Sequence, residues 1–131
     1  MYYIYIVIFG MLGALSRYGL SVWMDMVDFP LATLAINLLG CFLLAFMTQY
    51  VARVTSLSYK FMSAVGTGLI GSFTTFSTFA LESSTLIQMG DYIYAGTYIF
   101  SSLLGGLLMC IFGYRLSVIL LIRRKGGRHY G

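Results

Sequence analysis

The residues with the clearest chemical character lie between Gly66 and Phe79, in the stretch GTGLIGSFTTFSTF. This stretch combines three glycines with a run of serines and threonines, although it sits inside an apolar segment. Irregular or polar backbone survives at membrane depth only inside protein or beside a water-filled cavity, because every backbone group there needs a partner. The stretch therefore predicts a helix that breaks within the membrane over about Gly66 to Thr75, at the functional centre.

The groups available at this centre are neutral: hydroxyls, an amide, phenyl rings and unwound backbone. Hydroxyl and amide hydrogens, together with the positive edges of phenyl rings, can line the path of an anion. Backbone carbonyls at a helix break can hold a small cation. The residue types therefore indicate ion binding or conduction.

Two phenylalanines follow the predicted break, and their spacing places them on one helical face. Phe76 and Phe79 are three residues apart, with Thr75 and Thr78 beside them. Phenylalanines at this spacing are most often core or lipid-facing residues, but the mixture with hydroxyls favours a functional role. Glu82 comes next, either as an interfacial carboxylate or as a group that looks into an aqueous vestibule.

Polar residues also recur at steps of four on two other segments. Thr33, Asn37 and Cys41 share one face of the segment that begins after Pro30. An asparagine in hydrocarbon is costly, so Asn37 is either an interhelical hydrogen-bonding residue or a pore-lining donor. The final segment carries a similar stripe, formed by Tyr98, Ser102, Gly106 and Cys110. The two cysteines have no metal-ligand spacing and are interpreted as small packing residues.

The composition describes the scaffold that must hold these groups. The chain has 131 residues, of which 60% are hydrophobic and only 9% are charged, with a mean hydropathy of +0.89. Soluble domains carry about 25% charged residues. The sequence predicts an all-α integral membrane protein, a single domain of four transmembrane helices with a break in the third. The predicted spans are about 2–23, 31–52, 61–82 and 92–122, since a span needs roughly 20 apolar residues.

The distribution of charge predicts how these spans are oriented. Four spans place the N-terminus, the second loop and the C-terminus on one side, which carries Arg53, Lys60, Arg123, Arg124, Lys125 and Arg128. The opposite loops carry Asp25, Asp28 and Asp91 and no Lys or Arg. Both termini are therefore predicted to be cytoplasmic, by the positive-inside rule. Arg17, inside the first span, is expected to face a cavity or partner or to reach the interface.

Several function classes lack the residues that they need. The spans other than the third carry no Asp, Glu or His at mid-membrane depth, which argues against proton-coupled transport through a carboxylate. A histidine base for an intramembrane serine protease is also missing, since His129 lies in the C-terminal tail. A small four-helix drug exporter would need a glutamate in the first span. The chain is therefore not expected to be an enzyme.

Three motifs resemble the Fluc (CrcB) family of small fluoride channels, and together they cover most of the chain. They are GALSRYG at Gly13 to Gly19, TLAINLLGCF at Thr33 to Phe42 and GLIGSFTTFSTF at Gly68 to Phe79. The resemblance implies a passive, fluoride-selective channel in the cell membrane of a prokaryote, exporting F⁻ to relieve fluoride toxicity. It also implies an antiparallel dimer of the dual-topology type, with a structural Na⁺ at its centre.

The same resemblance implies roles for individual residues. Fluoride pores would be lined by Phe76, Phe79, Asn37, Tyr98, Ser102, Thr33 and Thr78. The backbone carbonyls of Gly71 and Thr74 would bind Na⁺, while Arg17 and Glu82 would belong to a vestibule. One departure is Gly106, where the polar track would usually carry another serine.

The strong charge bias adds an inference about the partner. A chain with this bias is expected to insert one way only, so an antiparallel dimer would need a second, oppositely oriented chain. The partner is then a paired homologue, and the chain is one half of a heterodimer. Two alternatives stay open: a homodimer, and an accessory, poorly conducting subunit of a heterodimeric channel.

Overall fold

The structure, a computed structural model, describes residues 1–24 and 30–126, and the described chain is built from helices with short connections. Four of the residues used in the predictions above lie outside the described residues: Asp25, Asp28, Arg128 and His129.

Five helical elements follow each other along the chain. α1 is Tyr2–Met24. α2 is Leu31–Val54, in which the π-helical turn Met47–Val51 separates Leu31–Phe46 from Ala52–Val54. α3 covers residues 59–73 as Tyr59–Ala64, the π-helical Val65–Ile70 and Gly71–Phe73. α4 is Phe76–Gln88 and α5 is Tyr92–Gly126.

Four stretches are long and apolar enough to cross a membrane: α1, α2, the combined α3 and α4 (Tyr59–Gln88), and Tyr92–Lys125 of α5. The predicted all-helical, four-span organisation is confirmed, and the protein is a multi-pass membrane protein. α5 has 35 residues and is therefore about 50 Å long. That length exceeds the roughly 30 Å of a bilayer's hydrocarbon core, so α5 extends beyond it.

The helix ends follow local sequence signals. Pro30 comes directly before α2, where its missing N–H costs nothing. The hydroxyl of Ser58 caps α3 by accepting a hydrogen bond from the Phe61 N–H at 3.2 Å. Gly90 turns the chain between α4 and α5 with a φ of +82°, a conformation that L side chains rarely adopt.

The helices pack mainly as two pairs, α1 against α3 and α2 against α5. Glycines allow the backbones to approach closely in both pairs. A Cβ on Gly13 of α1 would collide with the Leu69 carbonyl of α3, and one on Gly113 of α5 would lie 2.7 Å from the Phe42 carbonyl of α2. Small residues at such crossings are typical of helix packing in membranes.

Candidate functional site

The break in the third span is confined to two residues. Thr74 and Thr75 have extended backbones, with ψ of 156° and 117°, between the helical residues Phe73 and Phe76. The predicted break began at Gly66, and that part of the prediction is wrong. The glycine-rich segment stays helical by widening into π geometry, in which the Gly71 N–H still bonds the Gly66 carbonyl. A π-helical turn keeps backbone groups paired, which unwinding in lipid would not.

Asn37 of α2 holds the break through both ends of its amide. Its Nδ2 donates to the Thr75 carbonyl at 3.0 Å, and its Oδ1 accepts from the Thr75 N–H at 2.9 Å. The side chain thus replaces the helical partners that an extended residue has lost. Of the two roles that the sequence left open, the structure shows an interhelical hydrogen-bonding one, and the second hydrogen on Nδ2 remains for another acceptor.

Two backbone carbonyls are released by this arrangement. In a continuous helix, the Gly71 carbonyl would accept from the N–H of Thr75, and the Thr74 carbonyl from the N–H of Thr78. The Thr75 N–H instead bonds Asn37, and the Thr78 N–H bonds the Thr75 hydroxyl at 3.3 Å. The Gly71 carbonyl receives only a long contact of 3.5 Å from the Thr74 hydroxyl. These are the two carbonyls that the sequence analysis assigned to a cation.

Thr75 was named beside the phenylalanines in the sequence analysis but was given no role of its own at the site. It is buried, caps α4 through the Thr78 N–H, and donates its hydroxyl hydrogen to Thr78 Oγ1 at 3.1 Å. The available signal was positional: threonine directly before a helix is a preferred N-cap. Thr78 is thereby tied to the break and is not among the residues that line the groove described next.

A groove of about 350 Å³ runs beside the break, between α2, α3, α4 and α5. We call it the α2–α5 groove. Six predicted site residues line it: Asn37, Gly71, Thr74, Phe76, Phe79 and Ser102. The other lining residues are mostly apolar: Gly40, Cys41, Leu44, Gly66, Ile70, Thr75 and Leu103.

The two phenyl rings form one wall of the α2–α5 groove. Their centroids are 5.9 Å apart with the planes tilted by 45°. Phe76 is 80% exposed, whereas the Phe79 ring packs on the ring of Tyr98 at 5.3 Å. An exposed ring beside a groove can present its edge to an anion or its face to another chain.

Ser102 and Gly106 occupy successive turns of α5 on the stripe predicted as a polar track. The Ser102 hydroxyl donates to the Tyr98 carbonyl of its own helix at 2.8 Å. Gly106 offers no donor, and a Cβ placed on it would lie 3.4 Å from the Cys41 sulfur. The polar lining that α5 gives to the groove therefore ends at Ser102.

Thr33, Glu82 and Tyr98 form a hydrogen-bonded cluster behind Phe79. The Thr33 hydroxyl donates to Glu82 Oε1 at 2.9 Å, and the Tyr98 hydroxyl donates to Glu82 Oε2 at 2.7 Å. Thr33 is 6% exposed and Tyr98 is fully buried, so in this conformation neither lines the groove. The carboxylate is held by two neutral donors from α2 and α5, and Glu82 is not among the residues that line the groove.

Arg17 lies on α1 and is half-buried. It forms no ion pair with Glu82, whose described partners are Thr33 and Tyr98. Within one chain, the structure therefore shows no hydrogen bond or ion pair between the two residues that the sequence analysis placed in a vestibule.

Comparison with known proteins identifies one family for this chain. The profile of the family described as "CrcB-like protein, Camphor Resistance (CrcB)" matches residues 4–114. A Listeria innocua protein named "Fluoride-specific ion channel FluC 2" is 47% identical over 129 residues, which cover 98% of each chain. A Bacillus cereus protein named "Fluoride-specific ion channel FluC 1" is 49% identical over 124 residues, 91% of this chain and 85% of its own.

The matched residues 4–114 span all three motifs of the sequence analysis, and Asn37, Phe76 and Phe79 lie within them. The chain belongs to the CrcB family.

Proposed function

We propose that this chain is a subunit of a fluoride-selective channel through which F⁻ leaves the cytoplasm passively, which relieves fluoride toxicity. The observation that carries the proposal is the α2–α5 groove, where two phenyl rings, an amide and a hydroxyl converge beside a helix break. The names of the Listeria and Bacillus relatives, fluoride-specific ion channels, support it.

The proposed conduction replaces water around fluoride step by step. A small, strongly hydrated anion needs donors along its whole path. The groove offers the second amide hydrogen of Asn37 and the ring edges of Phe76 and Phe79. Ser102 becomes a donor to the ion when its hydroxyl rotates away from the Tyr98 carbonyl. The Thr33 and Tyr98 hydroxyls extend the path if Glu82 releases them.

The proposed assembly is an antiparallel dimer, with the break of each chain against that of the other. The exposure of Phe76 and Gly71 on the open side of the groove supports this arrangement, because a second chain would cover both. The charge bias favours a paired homologue as the partner. The numerals 1 and 2 in the relatives' names fit such a pair without favouring it over a homodimer.

The released carbonyls of Gly71 and Thr74 fit a structural sodium ion between the two chains. Carbonyl oxygens suit a hard cation, and half-helix ends supply such ligands in transporters. One chain offers two of them, so a matching pair from the second chain would complete the set. When bound, the ion would offset the negative ends of the two helix dipoles.

Replacing sodium with another cation tests whether the dimer depends on the proposed sodium site. We expect purification in a buffer that contains only a large organic cation to lower the dimer fraction on size-exclusion chromatography and to restore it when sodium is returned. A dimer fraction that ignores the cation would contradict the sodium site.

Fluoride efflux from liposomes tests the proposed function. Phe76→Ile and Phe79→Ile keep apolar bulk but remove the positive ring edges, so each is expected to lower the flux by at least about tenfold. Phe100→Ile is the matched control, because Phe100 is exposed on α5 and does not line the groove. It should conduct as the unchanged chain does.

The outcomes separate the alternatives. Flux by the chain alone supports a homodimer, whereas flux only with a co-expressed homologue supports a heterodimer. Flux that survives Phe76→Ile and Phe79→Ile in this chain, with the co-expressed homologue unchanged, would make this chain an accessory subunit. Flux that survives both substitutions in every chain would contradict the ring-lined pore. Absence of fluoride flux in every combination would overturn the proposal.

A further inference from the structure

The two cysteines are not independent packing residues, because they meet across the α2–α5 contact. The Cys110 thiol lies 3.6 Å from the Cys41 carbonyl, as a donor to it. This contact places the two cysteines on facing turns of α2 and α5. Both are free and half-buried.

Each thiol borders a different cavity. Cys41 lines the α2–α5 groove. Cys110 lines a second cavity of about 390 Å³ between α2 and α5, together with Gln49, Tyr114 and Arg115. Each cysteine of the pair therefore borders its own cavity.

Gly106 leaves space beside the Cys41 sulfur. A Cβ at this position would stand 3.4 Å from the Cys41 sulfur, so any larger side chain would press on the thiol. With glycine there, a ligand on the Cys41 sulfur has space in the groove directly below Ser102.

We propose that Cys41 and Cys110 form a two-thiolate site for a soft, two-coordinate d¹⁰ cation such as Hg²⁺, Ag⁺ or Cu⁺. Soft thiolates select such ions. Structural zinc needs four ligands, and no group of three or more His, Cys, Asp or Glu residues occurs within the described chain. Two thiols from facing helices suit a linear complex.

The binding step needs no oxidant or reductant. With mercuric chloride, each thiol loses its proton and each sulfur displaces one chloride. The products are one S–Hg–S bridge, two protons and two chloride ions. Neutral HgCl₂ can enter through a groove whose lining is mostly apolar.

The bridge has a consequence for conduction that rests on the proposed fluoride channel. A metal on the Cys41 sulfur stands in the groove one turn from Ser102. It also ties α2 to α5 at the level of the break. We expect bound mercury to lower fluoride flux by about tenfold. Fluoride needs hydrogen-bond donors along its whole path, and a metal in the groove would block that path.

The site itself is tested without measuring flux. The purified chain is treated with HgCl₂, and the bound mercury is counted by intact mass and the free thiols by maleimide labelling. One mercury per chain with both thiols protected supports the bridge. Two mercury atoms per chain, or one thiol left free, would overturn it. Cys110→Ser should still bind one mercury, but a competing small thiol should then remove it at lower concentration.

Flux is measured separately, with each variant compared to its own untreated rate. Cys110→Ala lies outside the groove and should conduct normally, and its mercury block should reverse more readily than that of the unchanged chain. Cys41→Ala should resist mercury. Bridge formation without loss of flux would contradict only the blocking step, and absence of flux in untreated liposomes would contradict only the channel.

Discussion

Asn37 shows how one residue controls the site. Its amide pairs with both backbone groups of Thr75, at 2.9 and 3.0 Å, and this pairing holds Thr75 in an extended conformation. The same two bonds leave the Gly71 carbonyl without its helical donor. One side chain thus stabilises the break, lines the groove and leaves a backbone carbonyl without its helical donor.

Replacing Asn37 with Ala should destabilise the chain. The Thr75 N–H and carbonyl would lose their partners in a buried position, and each unsatisfied group costs about 1–3 kcal/mol. The free energy of unfolding in detergent or bicelles measures the change. Gln49→Ala is the control, because Gln49 is an amide on the same helix that makes no side-chain hydrogen bond within the described residues. Its effect should stay within about 0.5 kcal/mol. Equal stability of the two variants would contradict the role of Asn37.

At the scale of elements, the site depends on how closely α5 approaches α2. The glycines of α5 allow this approach: Gly105 faces the Leu38 side chain, and Gly113 faces the Phe42 carbonyl. Between them lies Gly106, against Cys41. Ser102 and Asn37 line one groove because these backbones are close.

Gly113→Ala should loosen this pair of helices. The new Cβ would lie 2.7 Å from the Phe42 carbonyl and 3.2 Å from the Ala45 Cβ, so the helices would have to separate. Overpacking of this kind costs about 1–3 kcal/mol in the free energy of unfolding. Gly96→Ala is the matched control on the same helix, since a Cβ there meets nothing within 4 Å. Gly96→Ala should be neutral or slightly stabilising, as alanine favours the helix. The reverse order of the two variants would contradict the packing argument.

At the scale of the whole molecule, the basic and acidic residues that flank the described spans lie at opposite ends of the helices. Arg53 ends α2, Lys60 begins α3, and the basic residues 123–125 end α5, while Asp91 precedes α5. Because successive spans alternate in direction, the basic ends belong to one side of the membrane. This supports the proposed orientation with both termini in the cytoplasm.

Reporter fusions test that orientation. A reporter that is active only in the cytoplasm should be active at either terminus and inactive when inserted at Gly90. Reversing the bias, by replacing Arg53 and Lys60 with Glu and adding Lys at the opposite loops, should produce chains in both orientations. Equal amounts of both orientations in the unchanged chain would remove the argument for a paired partner.

The sequence alone predicted most of the fold and the location of the candidate site. Apolar composition and segment length determine four helical spans, because a bilayer admits only helices or closed barrels. The neutral polar residues around Phe76 and Phe79 marked the site, since such residues are costly in lipid unless they have a role. The resemblance of the motifs to the family then singled out Asn37, Gly71 and Thr74 as candidate site residues.

Only the tertiary structure decided how those residues are used. The glycines of residues 66–71 suggested a wide break, but π geometry keeps them helical and confines the break to Thr74 and Thr75. Which donors are free depends on contacts between distant segments, such as Asn37 with Thr75, Thr33 with Glu82, and Cys110 with Cys41. The spacing of residues along one helix determines which face they share. It does not determine which residues lie opposite that face. In this protein, the facing residues determine which donors and carbonyls are already hydrogen-bonded.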